Sequence, residues 1–286
     1  MRWIIIGTVP RRDFELTEGL CRFHDGLLCI GDRRITVARG TPALLATACL
    51  AASFLAIEPP QALLIGDIGR GDGSRRLYGY LDERIAELDA ELLVFHYLQP
   101  DVDWHNRIFL KIEELDSPPL LFADAGYMYV AKMSGFASRY DLFTPDAGEM
   151  AFLADEAAPH PFYTRGFLLQ EEDRVPELIA RAYAHENAAR HLLVKGACDH
   201  VVHDGLIVDT ICEPCVEAME PIGGTGDSLT GLVSALAAGG YPVAQACSVA
   251  ARANRLMGLV ARPDPSFSIA DLLPSLPEAL RRAVSG

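Results

Sequence analysis

Short, continuously apolar runs alternate with helical periods along nearly the whole chain, and this alternation most limits what it can fold into. Trp3–Ile6, Ala62–Ile65, Leu92–His96, Leu120–Ala123, Asp141–Phe143 and Leu192–Lys195 read as strands. Between them, Pro42–Ile57, Ser74–Leu88, Val102–Leu115, Gly148–Ala154 and Arg174–Glu186 read as helices. Strands that are apolar on both sides and joined through helices belong to a parallel sheet covered on both faces. The expected class is therefore α/β, a three-layer α/β/α sandwich with a mostly parallel central sheet. Val201–His203 and Leu206–Asp209 flank Asp204-Gly205, a pair suited to the positive φ of a tight hairpin turn. Beyond it the chain turns helical over Gly226–Ala238, Pro242–Arg262 and a short tail. No low-complexity linker or repeat divides the 286 residues, so one domain over 1–286 is expected, with Pro159-His160-Pro161 as a surface excursion.

The 25 Lys+Arg against 39 Asp+Glu leave a net charge of −14, which argues against a nucleic-acid partner because such partners are held by clustered cations. A single nucleotide remains compatible, since backbone N–H groups and a metal can hold it. Much of the charge lies in Asp82–Glu91 and Glu113–Asp116, where helical spacing predicts solvated faces. Gly40–Ile57 is too short for a membrane span, and Gly239-Gly240-Tyr241-Pro242 breaks Ser228–Ala251 in two, so no membrane partner is expected. Ile4-Ile5-Ile6 reads as a strand rather than an export signal, which leads to the expectation of a cytoplasmic protein.

Cys21, Cys29, Cys49, Cys198, Cys212, Cys215 and Cys247 are odd in number, and reduced thiols are the simplest expectation. Cys212-Glu213-Pro214-Cys215, with Cys198, His200 and His203 upstream, matches no established zinc spacing; ordinary hairpin and loop thiols are preferred over a metal site.

Three segments carry the candidate chemistry. In Ile222-Gly223-Gly224-Thr225-Gly226-Asp227-Ser228, glycines lead straight into an apolar helix. They let backbone approach a ligand and leave N–H groups free at the positive end of the helix dipole, which suits a phosphate. A structural Gly-rich turn with a helix-start acid is the plainer alternative. In Phe143-Thr144-Pro145-Asp146-Ala147-Gly148-Glu149, a strand end is followed by carboxylates at i and i+3, which share a face and could hold Mg²⁺. An acidic first turn favoured by the dipole would leave the same pattern. Leu192-Leu193-Val194-Lys195-Gly196 is a strand ending at a carboxyl edge, where ligand crevices of parallel sheets lie. The Gly66–Ser74 loop fits neither the dinucleotide fingerprint nor the Walker pattern, and reads as an ordinary strand-to-helix connection.

Taken in this order and separation, the three segments resemble the ribokinase superfamily. The wording is closest to its carbohydrate-kinase-like branch, which includes ADP- or ATP-dependent NAD(P)H-hydrate dehydratases. Thr144–Glu149 stands where that branch has Thr-Pro-His-x-Gly-Glu, and Gly224–Gly231 where it has Gly-Thr-Gly-Asp-x-Leu-x-Gly. The match runs from about Leu120 to Val260. Asp146 replaces the branch's histidine and is closer to the Asn/Asp-x-x-Glu of ordinary kinases. Phe122-Ala123-Asp124-Ala125-Gly126 lacks the first acid of the branch's strand end, and no His-Lys-Gly segment or companion epimerase domain is found.

The resemblance implies a ribokinase-like three-layer fold, ATP or ADP with Mg²⁺, and a small-molecule substrate; a homo-oligomer is compatible with it. It implies that Gly223, Gly224, Thr225 and Gly226, with Lys195 and Gly196, line the nucleotide phosphates. Glu149 with Asp146 would place the metal, Asp227 would act as base, and Asp124 and Gly40 would lie on the acceptor side. The implied activity is phosphorylation of the hydroxyl of a hydrated nicotinamide followed by elimination. The alternatives are an ATP-dependent kinase of a small hydroxylated metabolite and a non-catalytic nucleotide-binding sensor.

Overall fold

The computed structural model describes residues 1–156, 174–264 and 266–285. The chain opens with strand β1 (Trp3–Val9), then β2 (Thr17–His24), β3 (Leu27–Ile30) and β4 (Arg33–Thr36), before helix α1 (Thr41–Phe54). Alternation follows through β5 (Gln61–Gly66), α2 (Asp72–Arg84), β6 (Leu92–His96), α3 (Val102–Glu113), β7 (Leu120–Asp124) and α4 (Gly126–Met133). Next come β8 (Leu142–Phe143), α5 (Ala147–Ala154), α6 (Val175–Ala184) and β9 (His191–Val194), then the hairpin β10 (Asp199–His203) and β11 (Leu206–Ile211). Helices α7 (Thr225–Ala238), α8 (Val243–Ala261), α9 (Ile269–Leu272) and α10 (Leu276–Ser285) complete it. Pro159-His160-Pro161 lies outside the described residues.

The strands form one sheet in the order β11-β10-β9-β8-β7-β6-β1-β5-β2-β3-β4. From β9 to β5 every neighbouring pair is parallel, while β2–β4 and β10–β11 extend the two edges antiparallel. Strand periodicity explains the layers, because successive side chains leave opposite faces. Ile5, Leu64, Val94, Phe122 and Leu193 point into one core with α1, α7, α8 and α10. Their neighbours Ile4, Ile6, Leu63, Phe95, Leu121 and Leu192 point into the other, with α2 to α6. This is the three-layer arrangement expected from the apolar runs. Among the described residues, no helix is long and apolar enough to cross a membrane.

The main differences lie at the first edge and at the cysteines. The expected elements do not include β2–β4, whose exposed and buried positions interleave; Cys21, Leu28, Ile30 and Ile35 turn inward while Arg22, Arg33 and Arg34 do not. Helix α4, on the segment after β7, was likewise not expected. The all-reduced expectation for the cysteines is corrected, because Cys198 and Cys212 form a disulfide. Pairing of Asp199 with Ile211 puts these cysteines directly opposite at the open end of the β10–β11 hairpin. Their Cα atoms are 4.2 Å apart, and Cys215 stays free and exposed. The expected turn is present, with Asp204 and Gly205 at φ 47° and 82°.

Candidate active site

The carboxyl ends of the parallel strands face the N-terminal ends of α1 and α7, and the candidate residues meet there. Gly224 takes φ 99° as the residue before α7, a conformation open to glycine at little cost. A Cβ on Gly224 would lie 3.2 Å from Ile269 and 3.3 Å from Ala43, so the turn is tightly enclosed. First-turn N–H groups have no acceptor inside a helix. Among the described residues, nothing accepts from the N–H groups of Gly224, Thr225, Gly226 or Asp227. The turn is braced from behind: Ser228 Oγ donates to the Thr225 carbonyl at 2.7 Å, and Asn254 Nδ2 donates to it at 3.2 Å.

Asp227 is held by both its oxygens. The Gly40 N–H donates to Oδ2 at 2.6 Å, and His96 Nε2 lies 3.1 Å from Oδ1. Burial alone would raise this carboxyl, but the hydrogen bond and charge of His96, the Gly40 N–H and the Lys195 ammonium together hold its pKa below the usual range. Gly40 itself stands at φ 68° before α1, so it reaches Asp227 with its backbone.

Lys195 closes the end of β9. Its ammonium lies 3.1 and 3.3 Å from the two oxygens of Asp124 and beside Gly226, whose Cβ, if present, would come within 3.6 Å of Nζ. Burial would lower its pKa, yet Asp124, Glu149 and Asp227 keep it above the ordinary lysine value. Asp124 is 2% exposed and fully engaged, accepting also from Thr230 Oγ1 at 2.5 Å and from the Ala125 N–H at 2.8 Å. It lies behind Lys195 rather than at an open surface. Gly196 donates its N–H to Asp199 at 3.2 Å, and Arg255 binds both Asp199 and the Gly196 carbonyl.

Asp146 and Glu149 lie on one turn and cap each other. The Glu149 N–H donates to Asp146 Oδ1 at 2.7 Å, and the Asp146 N–H donates to Glu149 Oε2 at 2.9 Å. The Tyr129 hydroxyl donates to the remaining Glu149 oxygen at 3.1 Å. Loss of water around Glu149 pushes its pKa up to about 8; Lys195 pulls it down, while Asp146 and Asp124 push it further up. Asp124, Glu149 and Asp227 act on the Lys195 ammonium, and carboxylate oxygens such as those of Glu149 and Asp146 are the donor type that suits a hard divalent cation.

The site thus joins Asp227, Lys195, Asp124, Gly40 and the glycines before α7, with Asp146 and Glu149 on the flank. Sequence reasoning missed His96, Thr41, Tyr97 and Thr230. His96 is fully buried, and its Nδ1 lies 2.9 Å from Thr41 Oγ1. Tyr97 takes φ 55°, rare for a bulky side chain, and is 47% exposed, with its ring beside Gly40. One available signal was the place of His96 and Tyr97 at the carboxyl end of a parallel strand.

No protein-family model matches the chain. It is 39% identical over 225 residues to an uncharacterized protein of Methanocaldococcus jannaschii, covering 78% of this chain and 92% of that one. It is 38% identical over 184 residues to a bifunctional NAD(P)H-hydrate repair enzyme of Hyperthermus butylicus, covering 62% of this chain but only 31% of that enzyme. Among solved structures, a ribokinase-like superfamily protein of Enterococcus faecalis matches with TM-score 0.58 at 14% identity, covering 99% of this chain and 87% of that one. Pyridoxal kinase of Entamoeba histolytica matches with TM-score 0.57 at 13% identity, covering 97% and 96%. These likenesses agree with the sheet order and layers: the fold is ribokinase-like, and the chain belongs to one family with the Methanocaldococcus protein.

Proposed function

We propose that this protein is a nucleotide-dependent enzyme that transfers a phosphoryl group to a substrate hydroxyl, and that its substrate is a hydrated NAD(P)H. The observation that carries the reading is Asp227: an ionised carboxylate on the first turn of α7, beside N–H groups that no described residue uses. A carboxylate there can take the proton of an attacking hydroxyl, a role that depends on proximity more than on a raised pKa. As the new P–O bond forms and the bond to the nucleotide breaks, the first-turn amides of α7 would meet the charge on the transferring group. Losing one such donor typically costs about 2.7–4 kcal/mol of barrier. Lys195, steadied by Asp124, adds a fixed positive charge along the same edge. Mg²⁺, held by Glu149 with Asp146, would supply charge neutralisation at the phosphates. In the dehydratase outcome, phosphate then leaves the carbon that carried the hydroxyl, and a proton leaves the neighbouring carbon to restore the ring double bond. Similarity to part of a hydrate repair enzyme supports this substrate.

A second reading, an ATP-dependent kinase of a small hydroxylated metabolite, is favoured by Asp146, which stands where the hydrate-dehydratase pattern has histidine. One experiment separates them. The purified protein is incubated with hydrated NADH and either ATP or ADP, and the absorbance of NADH is followed. Recovery of NADH with release of phosphate is expected. No recovery with either nucleotide, together with a stable phosphorylated product from a panel of hydroxylated substrates, would replace the first reading with the second.

A further inference from the structure

We infer that His96 is the positioning residue of Asp227, with Thr41 holding the other ring nitrogen in place. The inference rests on the reading of Asp227 as the base and adds a device drawn from two other parts of the chain.

His96 ends β6 and is fully buried, with Nε2 3.1 Å from Asp227 Oδ1 and Nδ1 2.9 Å from Thr41 Oγ1. An ionised carboxylate only accepts, so Nε2 must carry the hydrogen of the first bond. Thr41 Oγ1 lies at Nδ1, so the ring is held at both ends. His96 Nε2 is 3.7 Å from Asp124, so the proton it carries lies nearer Asp227 than the acid that holds Lys195.

The arrangement leaves the base defined in direction. Oδ2 is occupied by the Gly40 N–H and Oδ1 by His96, and each oxygen keeps one lone pair for a substrate hydroxyl. Thr41 is the first residue of α1 and follows Gly40 directly, so one stretch of backbone supplies both the amide on Oδ2 and the hydroxyl behind the imidazole. Space is fitted to this arrangement. A Cβ on Gly7 of β1 would fall 2.6 Å from the His96 carbonyl oxygen and 2.7 Å from Thr41 Oγ1. The Tyr97 ring packs edge-on against the imidazole, with centroids 4.4 Å apart and planes at 84°. A merely space-filling histidine would not need two polar partners, one on the proposed base.

Two measurements test this. The first does not depend on turnover: side-chain ¹⁵N NMR of the folded protein near neutral pH. A ring carrying a proton on Nε2 is expected, and a ring protonated on Nδ1 alone overturns the inference whatever the enzyme turns out to do. The second uses steady-state kinetics of His96→Leu, His96→Gln and Thr41→Val with the substrate that the wild type turns over. His96→Leu should lower kcat by about 10- to 100-fold, typical of losing a group that orients another, with the nucleotide KM nearly unchanged. Glutamine places an amide N–H close to where Nε2 was, so His96→Gln should recover most of that loss, and Thr41→Val should fall between. Melting temperatures are recorded for each variant. Wild-type kcat in His96→Leu, or equal losses in the Leu and Gln variants, would assign His96 to packing and overturn the inference. Absence of wild-type turnover on every substrate would instead count against the proposed function, and the NMR result would still decide whether Nε2 carries the proton.

Discussion

Asp227 shares its corner of the site with Asp124, and what keeps it ionised is local: one histidine, one backbone N–H and one lysine. Replacing it by asparagine keeps size and much of the hydrogen bonding while removing the basic oxygen. Asp227→Asn should therefore cut turnover by about 10²-fold or more, the usual contribution of a general base. Nucleotide affinity, measured by calorimetry, should stay within a few-fold. Parallel losses of turnover and affinity would move Asp227 from the base role to nucleotide binding. The acid itself was legible in the sequence because its neighbours Gly223–Gly226 are contiguous with it. His96 was not, since 131 residues separate it from Asp227 and only the sheet brings them together. A lone histidine at the end of an apolar run reads as a core residue until its partners are seen. Asp124 shows the converse: its place at a strand end was readable, but not that Lys195 and Thr230 would occupy its oxygens.

Elements whose apolar pattern is continuous or helically periodic were readable nearly to their ends, as in β6 and α3, while half-exposed edge strands were not. The β10–β11 hairpin divides the two cases. Its Asp-Gly turn is a local signal, but the Cys198–Cys212 bond depends on register, which a bulge between Val201 and Val202 shifts. With a sequence separation of 14, the bond should stabilise the fold by about 3 kcal/mol through the loop it closes. Urea unfolding with and without a phosphine reductant measures this. An unchanged midpoint after verified reduction would show that the bond adds no stability.

A second element-level prediction concerns α3, where His105 is buried against Phe109 with Nε2 2.8 Å from the Tyr140 hydroxyl. Burial drops its pKa from 6.5 to about 4. The unfolded chain then binds a proton that the folded one refuses, so this contribution is complete above pH 6.5 and is lost as pH falls toward about 4. The slope approaches about 1.4 kcal/mol per pH unit. His105→Gln should flatten it in urea unfolding compared between acidic and neutral buffer; an undiminished acid loss would place the cause elsewhere.

Across the whole molecule, the site depends on how closely two helices lie, because Asp227 rides on α7 and its Gly40 partner precedes α1. The seam between these helices is set by Gly231, where a Cβ would fall 2.3 Å from the Leu44 carbonyl oxygen and 3.2 Å from the Thr47 Cβ. In an open helix, Gly→Ala gains about 1 kcal/mol. Here the methyl must push rigid backbone aside, and overpacking of this kind costs about 1–3 kcal/mol. Gly231→Ala is therefore expected to lower stability despite its helix propensity. It should also lower turnover, because spreading the seam lengthens the Gly40–Asp227 contact of 2.6 Å. Gly79→Ala on α2 is the control: the nearest neighbour its Cβ would meet is Trp104 at 3.9 Å, so it should leave stability equal or raised and turnover unchanged. If Gly231→Ala matched this control in both thermal unfolding and initial rate, the α1–α7 spacing would not be what holds the base in place.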